Sequence, residues 1–222
     1  TQTSLSIDWT GGDYMLTSIT GYNNLTYDTA VDGDYSAASI NYSTSVADTD
    51  EVSQELRITS PGDQRLTWLA GAYYYDSQTD THLENLYGDD VLPIAALLPA
   101  SLRRLLIGGL INDLTEETNS FALFGQIGFK ITDRWSVSAE GRWTVETKKV
   151  HSVDQSQLNP GVVTGTFDDE ADFQNFVPRF TLDFQATDDV LLYASAAKGV
   201  KVGGFNVVTV AGAILPEERT YD

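Results

Sequence analysis

The stretch Phe121-Ala-Leu-Phe-Gly-Gln-Ile-Gly-Phe-Lys-Ile-Thr-Asp-Arg-Trp-Ser-Val-Ser-Ala-Glu-Gly-Arg-Trp-Thr-Val145 decides the fold class. From Trp135 on, Trp135, Val137, Ala139, Gly141, Trp143 and Val145 share one parity, and none is polar. Ser136, Ser138, Glu140, Arg142, Thr144 and Glu146 share the other, and all are polar. Side chains of a strand alternate between faces, so this is a β-strand with one oily and one wet side. Before the turn, Phe121, Leu123, Ile127, Phe129 and Ile131 repeat the pattern, and Thr132-Asp133-Arg134 suits a tight reversal. Trp135 and Trp143 lie roughly 26 Å apart along an extended chain. Tilted by about 40°, the pair covers roughly 20 Å of height, close to the apolar band of a membrane barrel. A wide soluble sheet gives the same alternation, so the hairpin alone leaves both open.

Outward from this hairpin, the chain alternates again at Leu5, Ile7 and Trp9 before the turn Gly11-Gly12-Asp13. Tyr14 to Tyr22 reads as a second strand. Gln54 to Ser60 is a third, with Leu56 and Ile58 opposite Glu55 and Arg57. Pro61-Gly62-Asp63-Gln64 is a turn, and Leu66 to Gln78 is a fourth strand. The hairpin supplies strands five and six. Phe176, Phe180, Leu182 and Phe184 oppose Arg179, Thr181, Asp183 and Gln185 in the seventh. Thr187-Asp188-Asp189 turns into an eighth strand, Val190 to Lys198, and a ninth is expected near Pro216. Residues 23–50, 79–116 and 151–172 show no sustained period and read as long loops. Connections thus alternate short and long, which sorts every tight turn to one end of an up-and-down sheet. That is the layout of an outer-membrane barrel.

Charge is sorted the same way. Residues 23–50 hold five acids and no Lys or Arg; residues 151–172 hold the same. Residues 79–116 hold six acids against two arginines, in a chain of net charge −19. A solvated acidic rim accounts for this, with divalent-ion bridging to lipopolysaccharide or a substrate-attracting funnel as sharper readings. An acid-rich surface argues against a nucleic-acid partner. There is no cysteine, so neither disulfides nor thiolate metal sites are expected. No run of 18 apolar residues suggests a membrane helix, which says nothing against a barrel.

Several segments resemble the barrel of TonB-dependent outer-membrane receptors. They are Glu51 to Pro61 followed by Trp68-Leu-Ala-Gly-Ala-Tyr73, then Ala122 to Gln126, Thr132-Asp-Arg134, Gly141-Arg-Trp-Thr144 and Glu146-Thr-Lys148. Pro178-Arg179, Tyr193-Ala-Ser195, Lys198-Gly199, Gly203-Gly-Phe-Asn206 and Pro216-Glu217-Glu218 continue the likeness. The resemblance implies an all-β, antiparallel, up-and-down transmembrane barrel of about 22 strands with a plugged lumen. Residues 1–222 would form a middle segment of about eight or nine of those strands. The signal peptide, plug and C-terminal strands would lie elsewhere.

The family implies energised uptake of a scarce nutrient: a ferric siderophore, cobalamin or an oligosaccharide. It also implies TonB as a partner through the plug, outer-membrane lipid and lipopolysaccharide as surroundings, and no enzymatic activity. Glu55, Arg57, Glu140, Arg142, Arg179 and Asp183 would face the lumen. Trp135, Trp143, Phe180 and Phe184 would face lipid. A self-contained eight-stranded barrel for adhesion or membrane structure, and a soluble carbohydrate-binding β-sandwich, are the rival readings.

Catalytic, cofactor and metal sites are not expected. His82 and His151 read as loop histidines without partners at ligand spacing. Asp168-Asp169-Glu170 with Asp172 lacks the spacing of a calcium loop and reads as a solvated acidic loop. Gly199, Gly203 and Gly204 read as backbone bends. Residues 91–111 are apolar, but Pro93, Pro99, Arg103 and Arg104 exclude a spanning helix. Ala100 to Ile107 would make two helical turns over the barrel mouth.

Overall fold

The computed structural model describes residues 1–33, 35–97, 109–156, 161–206 and 220–221. Eight strands form one antiparallel sheet in chain order: β1 (Gln2–Gly11), β2 (Tyr14–Asp32), β3 (Asn41–Thr59), β4 (Leu66–Tyr87), β5 (Leu110–Lys130), β6 (Trp135–Ser156), β7 (Val163–Thr187) and β8 (Val190–Ala197). A short helix, α1 (Val91–Ala96), stands between β4 and β5. Pro93 falls in its first turn, where no helical N–H is lost. Two further short strands, β9 (Gly204–Phe205) and β10 (Thr220–Tyr221), pair with each other. The expected helix at Ala100 to Ile107 and the strand start at Pro216 lie outside the described residues.

Each tight turn has a local cause. Gly12 takes φ +63 in the two-residue turn closed by the Gly11–Tyr14 pair. Glycine adopts that value without the Cβ penalty that other residues meet. At the β5–β6 turn, the Thr132 hydroxyl accepts hydrogen bonds from the N–H groups of Arg134 (3.2 Å) and Trp135 (3.0 Å). At the β3–β4 turn, the Trp68 N–H donates to Ser60 Oγ at 2.7 Å. Arg65 ties the two turns together: its Nε donates to the Lys130 carbonyl (3.0 Å) and its Nη2 to that of Ile131 (3.2 Å).

The ladders continue far past the apolar alternation. β2 to β7 are 19 to 25 residues long. Much of what reads as loop at 23–50, 79–116 and 151–172 is therefore strand. The reason is physical: the face that is apolar near the turns becomes polar in these extensions, and the opposite face mixes Leu25, Tyr27, Phe167 and Phe173 with polar residues, so the alternation seen lower down is not continued. Backbone pairing holds them instead, as in the unbroken register from Asn24↔Asp50 to Asp32↔Tyr42. Register shifts occur only at Asp154/Gln155 and Gln185/Thr187 among the described strand pairs.

One sheet gives almost no core. The buried apolar residues are Val91, Ala122, Val150 and Phe173. The solvent-accessible surface is 14301 Å², whereas a compact chain of this mass exposes about 10,000 Å². Leu5, Ile7, Trp9, Leu123, Ile127 and Phe180 are among many large apolar side chains left exposed. Monomeric soluble proteins do not leave such a surface uncovered. No second sheet lies against β1–β8 among the described residues, so the sandwich reading lacks its other layer. β1 and β8 are the two edges of the sheet and do not pair with each other, as a closed eight-stranded barrel would require.

Candidate functional site

The pairing register sorts every side chain to one of two faces, because directly opposed residues point the same way. Trp135 opposes Phe184, and their rings stack with centroids 4.3 Å apart. Ile127, Ala139 and Phe180 form one row, and Leu56, Ala72, Leu123, Trp143 and Phe176 another. Trp135, Trp143, Phe180 and Phe184 therefore share the apolar face. Trp135 and Phe180 are exposed; Trp143 and Phe184 are half-buried by neighbours on the same face.

The apolar face ends at a definite height. Its last apolar-rich row is Tyr74, Phe121 and Val145; the next holds Asp76, Asn119, Thr147 and Asp172. From Trp135 to Val145 is ten steps along β6, roughly 33 Å of strand and about 25 Å of height at a 40° tilt. Beyond it this face carries Asp50, Gln78, Glu117, Lys149 and Glu170, then Asp48, Asp80, Thr115, His151 and Asp168.

Both histidines stand on this upper part, on strands rather than in loops. His82 Nδ1 lies 2.6 Å from Asp113 Oδ1 and its Nε2 lies 3.5 Å from Glu84. His151 Nδ1 lies 2.5 Å from Asp168 Oδ1. The Asp113 hydrogen bond raises the His82 pKa above its ordinary value, against the opposing effect of partial burial. Asp168, Glu170 and Asp172 also sit on a strand, facing the opposite way from Asp169. They cannot converge on one ion as a loop would.

The other face gathers Glu55, Arg57, Glu140, Arg142, Arg179 and Asp183. Arg57 Nη1 lies 3.3 Å from Glu55, and Arg179 Nε lies 3.4 Å from Glu140 across the β6–β7 pair. Ser136 Oγ donates to Asp183 at 3.4 Å. Higher up, Lys148 pairs with Glu146 at 3.4 Å. Glu51 accepts from the Tyr75 hydroxyl at 2.7 Å and from the Asn23 amide at 2.9 Å. Arg142 sits differently. Its guanidinium lies 5.1 Å from the Tyr73 ring centroid and 5.9 Å from that of Phe124, and its Nε donates to Thr144 Oγ1 at 3.3 Å. Tyr73 and Phe124 were not singled out by the sequence. The run Tyr73-Tyr74-Tyr75 hides which rings share the Arg142 face until the register is known.

β9 and β10 cover part of the same face. The Phe205 ring meets Phe167 edge-on at 6.4 Å, and Thr220 Oγ1 donates to Asp169 Oδ2 at 3.0 Å. Gly203 is buried, and a Cβ there would stand 2.2 Å from the Phe173 ring. Close approach, rather than a bend, explains this glycine. Among the described residues no group of three or more His, Cys, Asp or Glu side chains converges as a metal site.

With this geometry in hand, the comparison with known proteins is direct. The family model described as TonB dependent receptor-like, beta-barrel matches residues 1–218. The chain belongs to the TonB-dependent receptor β-barrel family. That family comprises outer-membrane receptors and transporters, not an enzyme class. Among solved structures, the ferric yersiniabactin uptake receptor FyuA from Yersinia pestis superposes with TM-score 0.76 at 16% identity, over 95% of this chain and 29% of its own. The siderophore receptor PiuA from Acinetobacter baumannii gives 0.59 at 15% identity, over 88% of this chain and 31% of its own. The ferric-catecholate import receptor Fiu from E. coli K12 gives 0.55 at 12% identity, over 88% and 34%. At these identities the likeness is one of fold. The chain spans about a third of the length of these receptors.

Proposed function

We propose that residues 1–222 form a middle part of the barrel wall of a TonB-dependent transporter, which imports a scarce nutrient across the bacterial outer membrane. The observation that carries this reading is the family match over residues 1–218. The nutrient is a ferric siderophore in the first instance, because FyuA, PiuA and Fiu are all described as siderophore or ferric-complex receptors. Cobalamin and oligosaccharides are the other cargoes the family carries.

In this reading the tight turns face the periplasm and the long hairpins rise outside the cell. Trp135, Trp143, Phe180 and Phe184 face lipid tails. Glu55, Arg57, Glu140, Arg142, Arg179 and Asp183 face the lumen, where ion pairs steady the wall by at most about 1 kcal/mol each. The acidic face above the apolar band meets lipopolysaccharide. Energy arrives through TonB and a plug domain, encoded outside these residues.

Deleting the complete gene and following labelled ferric siderophores into the cell tests the proposal. Uptake of at least one siderophore should fall, return with the full-length gene, and require TonB. Unchanged uptake of ferric siderophores, cobalamin and oligosaccharides alike would refute it.

A further inference from the structure

We propose that residues 199–206 are a strap with two seats, hinged where β8 ends. One seat is the observed one, across the polar face; in the other the strap prolongs β8 along the edge of β7. The inference goes beyond the transporter reading and concerns the wall itself. It starts where the β7–β8 ladder stops. β8 has 8 residues against 25 in β7, and its pairing reaches only Arg179. One further bond follows, from the Lys198 N–H to the Pro178 carbonyl at 3.1 Å. Hydrogen-bonded antiparallel pairs exchange two such bonds. Pro178 has no N–H with which to return the second, so the ladder is weakest at this point.

Past Pro178, β7 offers an open seat. Among the described residues no strand pairs with Phe176, Gln174 or Asp172 on the β8 side. Their N–H and C=O groups point that way, because the backbone groups that face one neighbour recur at every second residue. Further along, the Glu170 N–H has turned to the Asp169 carboxylate at 2.9 Å. The strap sequence fits this edge. Counting on from the Arg179↔Ala197 pair, Val200 falls opposite Phe176 and Val202 opposite Gln174. Both valines would join the apolar face, and Gly199, Lys201 and Gly203 the polar one. That continues the facing of β8 without a slip, and valine favours strands.

In the observed seat the chain leaves the sheet instead. Gly203 and Gly204 are buried, and Gly203 lies against the Phe173 ring. β9 pairs with β10, and Phe205 meets Phe167 edge-on. The strap roofs a cavity of about 190 Å³ whose lining includes Ser77, Thr79, Thr118 and Lys148. Leaving this seat gives up a two-residue ladder and a ring contact. Taking the other gains backbone bonds to Phe176, Gln174 and Asp172 and packs Val200 beside Phe176. Gains and losses are alike in kind and number, which is the condition for two packings of one segment. Movement between the seats covers or uncovers Lys148 and its neighbours.

The test is disulfide formation in the complete protein, in isolated membranes; residues 1–222 contain no cysteine to interfere. Leu182→Cys with Ala194→Cys joins an existing β7–β8 pair, must close on oxidation and sets the scale. Gln174→Cys with Val202→Cys has the same geometry higher on the edge, but only in the second seat. It should close in part, because that seat is the minor state. Pro178→Ala supplies the missing donor and should raise the closed fraction about threefold. Phe176→Cys with Val200→Cys replaces the strap pair should that one not assemble. Closure of the control while neither strap pair closes, with or without Pro178→Ala, would overturn the inference and leave the transporter reading untouched.

Discussion

The lower and upper halves of the same strands meet different surroundings. On β5, the outward positions near the turn are Phe129, Ile127, Leu123 and Phe121; higher up they are Asn119, Glu117, Thr115 and Asp113. β7 runs the same way, from Phe184, Leu182, Phe180 and Phe176 to Asp172, Glu170 and Asp168. The backbone ladder does not register the change, because the hydrogen bonds continue in register on both sides of it. Two kinds of information are therefore written independently along one strand. Parity states which face of the sheet a side chain is on. The character of the residues on the apolar side states distance from the tight turns.

Arginine substitutions test that separation most strongly. Ile127→Arg places a charge near the middle of the apolar band and should cost ~2–4 kcal/mol, while Thr115→Arg on the same strand and face should stay within about 0.5 kcal/mol. Denaturant-dependent folding of the complete receptor into vesicles measures both. Equal costs would show that the upper half is also in lipid.

A smaller contrast separates the two faces within the lower half. Gly71 lies on the face of Phe124 and Arg142, and a Cβ there would stand 2.9 Å from the Leu56 carbonyl oxygen. That oxygen is held in the ladder, so Gly71→Ala should cost about 1–3 kcal/mol. Gly141 lies on the apolar face, where a Cβ would meet only the Phe176 ring at 3.1 Å. Phe176 is exposed and can swing away, so Gly141→Ala should cost less in the same assay.

At the turn end, Arg65→Ala removes two hydrogen bonds to carbonyls and a cation–π contact with Phe129 at 4.9 Å. A loss of about 1 kcal/mol is expected. Faster amide exchange confined to the β3–β4 and β5–β6 turns would locate it there.

The weakest effect belongs to the far end. The His82 pKa is raised by Asp113, so the pair stabilises the fold fully below the unfolded value of about 6.5 and loses that contribution as pH rises through the higher folded value. Because His82 is half-exposed, a few tenths of a kcal/mol are at stake. Exchange protection of the upper β4–β5 amides, corrected for intrinsic rates, should decline over that window, and His82→Gln should flatten the dependence.

How much of this was legible in the sequence follows from the same separation. The lower half was legible because Leu56, Ile58, Trp135 and Phe180 alternate with polar neighbours, and alternation is what a reader can see. Tyr42-Ser-Thr-Ser-Val-Ala-Asp-Thr-Asp50 is as regular a strand, but both its faces are wet, so nothing in its pattern announces pairing. His82 and His151 were assigned to loops for this reason. The ion pair Glu140–Arg179 joins residues 39 positions apart; the sequence supplied both faces but not the register that brings them opposite. The ring contacts of Arg142 could not be read at all, since they depend on where Tyr73 and Phe124 lie.

The near-perfect register of these ladders also constrains how such a chain can change over generations. Inserting one residue into a strand inverts the facing of everything beyond it up to the next turn, exchanging oil for water along the whole remainder. Inserting two only lifts the segment by one step. Length variation within the wall is thus restricted to even steps.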